Sequence, residues 1–177
     1  DAAALSGALL RVLGDTALRD HLATGVGALR RSVFGWDEIA ALTEGRRDVG
    51  AVATFVGLVR DLNEGDAVSR MTLEHYPGMT ERALEDICTQ ALARWDLIDI
   101  RVVHRVGPLA PGDAIVLVAV SSAHRGEAFA ACEFVMDYLK TRAPFWKKEV
   151  TPAGERWVEA RASDDDAARR WSEGGAG

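Results

Sequence analysis

Cysteine, long apolar runs and excess basic charge are all scarce in this 177-residue chain, and each scarcity removes a class of function. Only Cys88 and Cys132 occur. Both fall in helical patterns among apolar neighbours, and no His or Cys stands at metal-ligand spacing from either, so no metal is expected. Buried free thiols are the expected state, which fits a reducing cytoplasm. No apolar run approaches the ~20 residues needed to cross a bilayer, and there is no signal-peptide pattern. A cytoplasmic protein without a membrane partner is expected, although the chain starts at Asp1, which reads as a trimmed start. Lys and Arg number 21 against 27 Asp and Glu, a net charge of −6, so nucleic acid is not an expected partner.

Familiar catalytic devices are missing as well. There is no GK[ST] phosphate loop, no G-x-G-x-x-G after a strand, no G-x-S-x-G and no H-E-x-x-H. Paired carboxylates are not obvious, and neither cysteine lies in an electropositive junction that would activate it. These absences suggest an enzyme whose nucleophile comes from outside the chain.

What is present is one domain's worth of alternating patterns. Residues 1–31 read as two short helices, with stripes at Leu5, Leu9, Leu10 and Leu13 and at Leu18, Leu22 and Val26, forming an extension with no evident chemistry. A short helix is expected over 36–42. The run VGAVATFVGLV (49–59) reads as a strand buried on both faces. A polar turn follows at 60–66, a strand at 68–76 and a helix at 79–95. Strands are expected at 98–106 and 114–120, separated by the turn-rich loop 107–113. A helix follows Arg125 to about Thr141, ended by Pro144. Strands over 145–150 and 156–161 pair as a hairpin, and the tail from 163 to 177 starts as a frayed helix. The order β-β-α-β-β-α-β-β indicates an α+β fold, with helices over one face of a mainly antiparallel sheet.

The stretch SSAHRGEAFAACEFVMDYLKTRAPFWKK (121–148) concentrates the chemistry. His124 and Arg125 lie where an apolar strand gives way to a helix, a junction that favours anions. His124 can donate hydrogen bonds or move a proton near neutral pH, and Arg125 offers a fork for phosphate or carboxylate. Lys140 lies near the helix C-terminus, where the dipole also favours a solvated cation. Lys147 and Lys148 are interleaved with Phe145 and Trp146, and a strand there sends them to opposite faces. Arg60 and Arg161 end the first and last strands. Together these cations could line a pocket for a small, multiply anionic substrate. His75 and His104 read as structural or solvent-facing, and His21 as solvated.

Six segments in order resemble the MoaE family, the large, catalytic subunit of molybdopterin synthase. They are GAVATFVGLVRD (50–61), LEHYPGM (73–79), HRVGPLAPGD (104–113), SSAHR (121–125), DYLKTRAPFWKKE (137–149) and RWVEAR (156–161). The resemblance covers roughly residues 34–161, within a catalytic domain spanning 32–162. It implies an α/β-hammerhead fold and a central homodimer that binds a small ubiquitin-like sulfur-carrier subunit at each end, a heterotetramer. That subunit ends in Gly-Gly and brings sulfur as a C-terminal thiocarboxylate to cyclic pyranopterin monophosphate, forming the dithiolene of molybdopterin. No bound cofactor is implied. By motif, Lys140 is implied to meet the partner's C-terminus and Lys147 the pterin, both as catalytic residues. His124, Arg125, Leu58, Val59, Arg60, Lys148, Glu149 and Arg161 are implied substrate contacts. Leu58 stands where some relatives carry Lys. The pocket can draw on one protomer or on two. Two readings without sulfur transfer stay open beside this one: a binding module for a small anion or a partner tail, and a phosphate-ester hydrolase using His124.

Overall fold

A computed structural model describes residues 27–31, 34–63, 65–158 and 162–173. Strand β1 (Gly27–Arg30), a single helical turn α1 (Asp37–Ala40) and strand β2 (Ala51–Leu58) open it. A two-stranded ribbon β3 (Leu62–Asn63) and β4 (Asp66–Ala67) precedes strand β5 (Arg70–His75) and helix α2 (Met79–Arg94). Strands β6 (Leu97–Arg105), β7 (Gly107–Leu109) and β8 (Ala114–Ser122) lead into helix α3 (Arg125–Arg142). The hairpin β9 (Phe145–Thr151) and β10 (Gly154–Val158) and helix α4 (Ala162–Glu173) finish the chain.

The expected α+β class is found, but the strands divide into two four-stranded sheets and the ribbon instead of one sheet. The larger sheet runs β1-β6-β8-β2, antiparallel except for the parallel pair β1–β6. The smaller runs β10-β9-β5-β7 and is antiparallel throughout. Residues 27–30 were expected at the end of a helical extension. They form β1, because the β6 edge offers a ladder that satisfies their backbone groups. The helices expected over residues 1–26 lie outside the described residues.

β8 is a continuous apolar run because it has a strand on either side and covered faces. α2 and α3 pack on one face of the larger sheet, through Leu84, Ile87, Phe134 and Val135 against Ile100, Val102, Val118 and Val120. Leu42 and Ile39 cover the other face over Val103, Leu117 and Ala119. β2 has the same apolar composition as β8 but is not buried on both faces. It is an edge strand, and Phe55, Val56 and Leu58 are 41%, 46% and 56% exposed. β7 falls inside the expected loop because Pro108, which lacks an N–H, is tolerated on a sheet edge. Gly107 enters it at φ +87°, which glycine adopts without strain.

α3 begins after His124, whose backbone is extended (φ −128°, ψ 137°), and ends where Ala143 turns extended ahead of Pro144. Phe134, fully buried on α3, meets Tyr138, Trp95 and Trp171 edge-on at ring-centroid distances of 4.4, 5.2 and 5.6 Å. Trp171 belongs to α4, which is clamped to α3 through Asp137. That carboxylate accepts hydrogen bonds from Trp171 Nε1 and Arg170 Nη2, both at 2.7 Å.

The two sheets meet where His104 of β6 stacks on Phe145 of β9, with centroids 3.9 Å apart and planes 16° from parallel. His104 Nδ1 donates to the Arg105 carbonyl at 2.9 Å. Burial lowers the His104 pKa to about 4. The bond to Arg105 opposes that shift, and the charge of Lys147 adds to it. The sequence reading of His104 as structural holds.

Two stability outcomes are expected. Phe134→Ala removes the centre of the aromatic cluster and should cost about 3–5 kcal/mol, read from urea unfolding. His104 contributes a pH term of definite sign. Above its unfolded value of 6.5 both states are neutral. As pH falls from 6.5 toward about 4, the unfolded chain takes up a proton that the folded chain refuses, so stability is lost across that window. At about 1.4 kcal/mol per pKa unit the loss is roughly 3 kcal/mol. Unfolding curves at several pH values should show this slope flattened in His104→Asn, and an unchanged slope would locate its source elsewhere.

Candidate functional site

Lys140 stands in the last turn of α3, at one end of a groove of about 330 Å³ between that helix and the β2 edge. Ala53, Thr54 and Phe55 form the strand side, and Phe129, Cys132 and Met136 the helix side. The amine lies 3.2 Å from the Asp164 carboxylate of α4. Cys132 borders the groove as a protonated thiol, since burial pushes its pKa up to about 11. Burial pushes Cys88 up further. Neither sulfur is therefore a ready nucleophile at neutral pH.

From α3 the chain passes through Pro144 into β9, whose alternation separates the two lysines as expected. Lys147 shares a face with Glu149 and lies opposite Leu73 of β5, half-buried and close enough to His104 to shift its pKa. Lys148 faces the other way. It pairs with Glu155 at 3.2 Å, and its amine lies 5.7 Å from the centre of the Trp157 ring.

The end of β2 supplies three more expected residues in three different environments. Leu58 is exposed. Val59 is buried with Met71, Leu73 and Leu109, its N–H donating to Asp113 O and its carbonyl accepting from Gly112. Arg60 is exposed and donates from Nη2 to Asn63 Oδ1 at 3.1 Å. Asn63 Nδ2 in turn donates to both Glu149 oxygens, at 3.0 and 3.1 Å. Glu149 is only 2% exposed, and Arg156 Nη2 reaches it at 3.3 Å.

His124 and Arg125 sit at the far end of α3, both exposed. Buried Ser122 sets the junction: its hydroxyl accepts from the His124 N–H at 3.2 Å and lies 2.9 Å from both the Asp96 carbonyl and Glu127 Oε2. Gly50 crosses so close that a Cβ there would lie 2.2 Å from the Ala123 carbonyl oxygen. At 1.5 Å per residue, about 24 Å of helix separates His124 from Lys140.

One chain therefore places Lys140 beside the middle of β2 near one end of α3, and His124 and Arg125 at the other. Arg161 lies outside the described residues. Asn63, Arg156, Asp137 and Asp164 were not singled out from the sequence, since each acts on a residue remote in the chain. Among the described residues no group of three His, Cys, Asp or Glu could hold a metal ion, and no helix is long and apolar enough to cross a membrane.

The profile of the family described as "MoaE protein" matches residues 29–142. A molybdopterin synthase catalytic subunit from Ralstonia nicotianae is 66% identical over 134 residues, 76% of this chain and 76% of that protein. The one from Escherichia coli K12 is 62% identical over 126 residues, 71% of this chain and 84% of that protein. Among solved structures, a molybdopterin biosynthesis MoaE protein from Burkholderia ambifaria superposes with a TM-score of 0.72 at 56% identity, over 84% of this chain and 99% of that one. With a mixed α+β architecture and this extent of identity, the chain belongs to the MoaE family.

Proposed function

We infer that this chain is the catalytic subunit of a molybdopterin synthase. It transfers sulfur from the thiocarboxylated C-terminus of a small ubiquitin-like subunit to cyclic pyranopterin monophosphate and so forms the dithiolene. Relatives at 62–66% identity carry the catalytic-subunit name, and a catalytic subunit implies a second kind of chain. The observation that carries the reading is Lys140 at the end of a groove beside a strand edge that is unpaired among the described residues. An extended Gly-Gly tail is thin enough for such a groove, and its main chain can pair with the free edge of β2. Its terminal thiocarboxylate then meets the Lys140 ammonium.

The chemistry needs no nucleophile from this chain. Both thiols are buried and protonated, and the attacking sulfur arrives on the partner. This chain supplies charge and position. Lys140 stabilises the thiocarboxylate and, once water has cleaved the acyl–sulfur bond and left the sulfur on the pterin, the carboxylate that results. Lys147, held half-buried on β9, faces the anionic pterin, and Arg60 supplies a fork for its phosphate. Free thiols of this kind suit a cytoplasmic enzyme.

The pocket is completed by a second copy. His124 and Arg125 lie too far from Lys140 along α3 for one small pterin to touch both within a protomer. The apolar residues left open along β2 and α3, including Phe129 at 66% exposure, are the kind of surface an assembly covers. A two-fold homodimer that carries His124 and Arg125 of one copy to the lysine end of the other joins the two halves. One sulfur-carrier subunit at each end then gives the heterotetramer. On this reading residues 32–162 form the catalytic unit, flanked by an N-terminal extension and a C-terminal tail.

Lys140→Ala should lower dithiolene formation on the order of 10²–10³-fold with the dimer intact, measured with thiocarboxylated partner and cyclic pterin. Near-normal turnover would count decisively against its role. Pterin binding without sulfur incorporation by the unaltered chain would point instead to a binding module, and phosphate release would point to a hydrolase. Mixing Lys140→Ala chains with His124→Ala/Arg125→Ala chains tests the shared pocket. In mixed dimers one pocket carries both defects and the other none. Random exchange should therefore restore about a quarter of the normal activity. No recovery in verified mixed dimers would confine the site to one protomer.

A further inference from the structure

Glu149 was expected to touch substrate, yet its carboxylate is almost fully buried and already engaged by Asn63 and Arg156. A buried charge of this kind is tolerable only with well-placed donors, and it repels rather than attracts an anionic substrate. The use of this carboxylate lies in what it holds. Asn63 is buried beside it and presents its two amide atoms in opposite directions. Nδ2 donates to both Glu149 oxygens, and Oδ1 accepts from the Arg60 guanidinium.

That orientation cannot be reversed. A carboxylate only accepts hydrogen bonds and a guanidinium only donates them. A flipped amide would put its oxygen against Glu149 and its NH₂ against Arg60. The buried carboxylate therefore sets the direction of the amide, and the amide sets the position of an otherwise exposed arginine. Glu149 lies two residues after Lys147 on the same face of β9, about 7 Å along the strand. Arg156 secures the arrangement from the other side. Its Nη1 reaches Asp66 at 2.7 Å and its Nη2 reaches the Asn63 carbonyl at 3.1 Å, so the backbone of the ribbon is held independently of the Asn63 side chain.

We propose that Asn63 is a positioning residue that relays the fixed location of Glu149 to Arg60 and so presents Arg60 to the phosphate of the pterin, on the Lys147 side of the pocket. The proposal rests on the reading of Arg60 as a substrate contact. Glu149 then acts as the anchor of the relay and does not touch the substrate. Asp at position 63 would set a second carboxylate against Glu149, and Leu would have the size without either hydrogen bond.

The test is a double-mutant cycle in the full enzyme with its thiocarboxylated partner, scored as KM for the cyclic pterin and kcat. Arg60→Ala should raise KM. Asn63→Leu should raise it by about tenfold, the loss of one charge-assisted contact, with kcat little changed. Since Asn63 acts through Arg60, the double variant should be no worse than Arg60→Ala alone. An Asn63 effect of equal size in the Arg60→Ala background, or no Asn63 effect on KM, overturns the relay. An unchanged KM in Arg60→Ala removes the substrate reading of Arg60 itself, and the relay with it. If the leucine variant does not fold, Asn63→Ala, which leaves room for water, enters the same cycle with the same criteria.

Discussion

Every functional placement depends on α3 lying flat against the larger sheet as a rigid rod of eighteen residues. Its inward side mixes small and large residues. Ala128 and Ala131 let the helix approach closely, while Phe134, Val135, Tyr138 and Leu139 fill the space toward its C-terminal half. Because the helix follows β8 directly and doubles back over the sheet, its N-terminus stays at the Ser122 end and its C-terminus returns toward Ala114. The same packing that buries the core fixes His124 and Lys140 at opposite ends. No side-chain rotation can bring them together, which is why the function proposed above calls on a second copy of the chain.

α3 also determines what the C-terminus does. Asp137 lies one turn before Lys140, and its carboxylate takes the Trp171 indole and the Arg170 guanidinium together. Trp171 completes the aromatic cluster around Phe134. The clamp thus couples a packing interaction to an electrostatic one, and it carries Asp164 to Lys140. In the heterotetramer proposed above, the amine has one carboxylate from its own chain in place before the partner's tail arrives. The tail must therefore offer it a better-placed anion, not merely a first one.

Much of the fold was legible because the patterns are regular. β8 and the helices after Gly78 and His124 fall where period and turn residues put them. Three features were not, each because it depends on a distant partner. β1 is a strand only because β6 leaves an edge open beside it. β7 reads as loop because a three-residue edge strand containing Pro and Gly carries no periodicity of its own. β2 was read as fully buried because its run is apolar throughout, whereas among the described residues it is an edge strand with Phe55, Val56 and Leu58 exposed. The candidate site shows the same division. The opposite faces of Lys147 and Lys148 followed from strand alternation. The bond between Asn63 and Glu149 spans 86 residues, and nothing local to either announces it.

Glu149 raises the sharper physical question, because a carboxylate is an expensive way to fill a buried position. An apolar side chain of similar volume would avoid the desolvation cost and pack as well, so stability alone does not favour a charge there. Orientation does. Apolar contacts are nondirectional, whereas an acceptor-only group dictates which way an amide and a guanidinium must point. Two residues before Glu149, Lys147 adds a positive charge near His104, and burial keeps that imidazole neutral. A neutral His104 adds no second positive charge beside the half-buried Lys147.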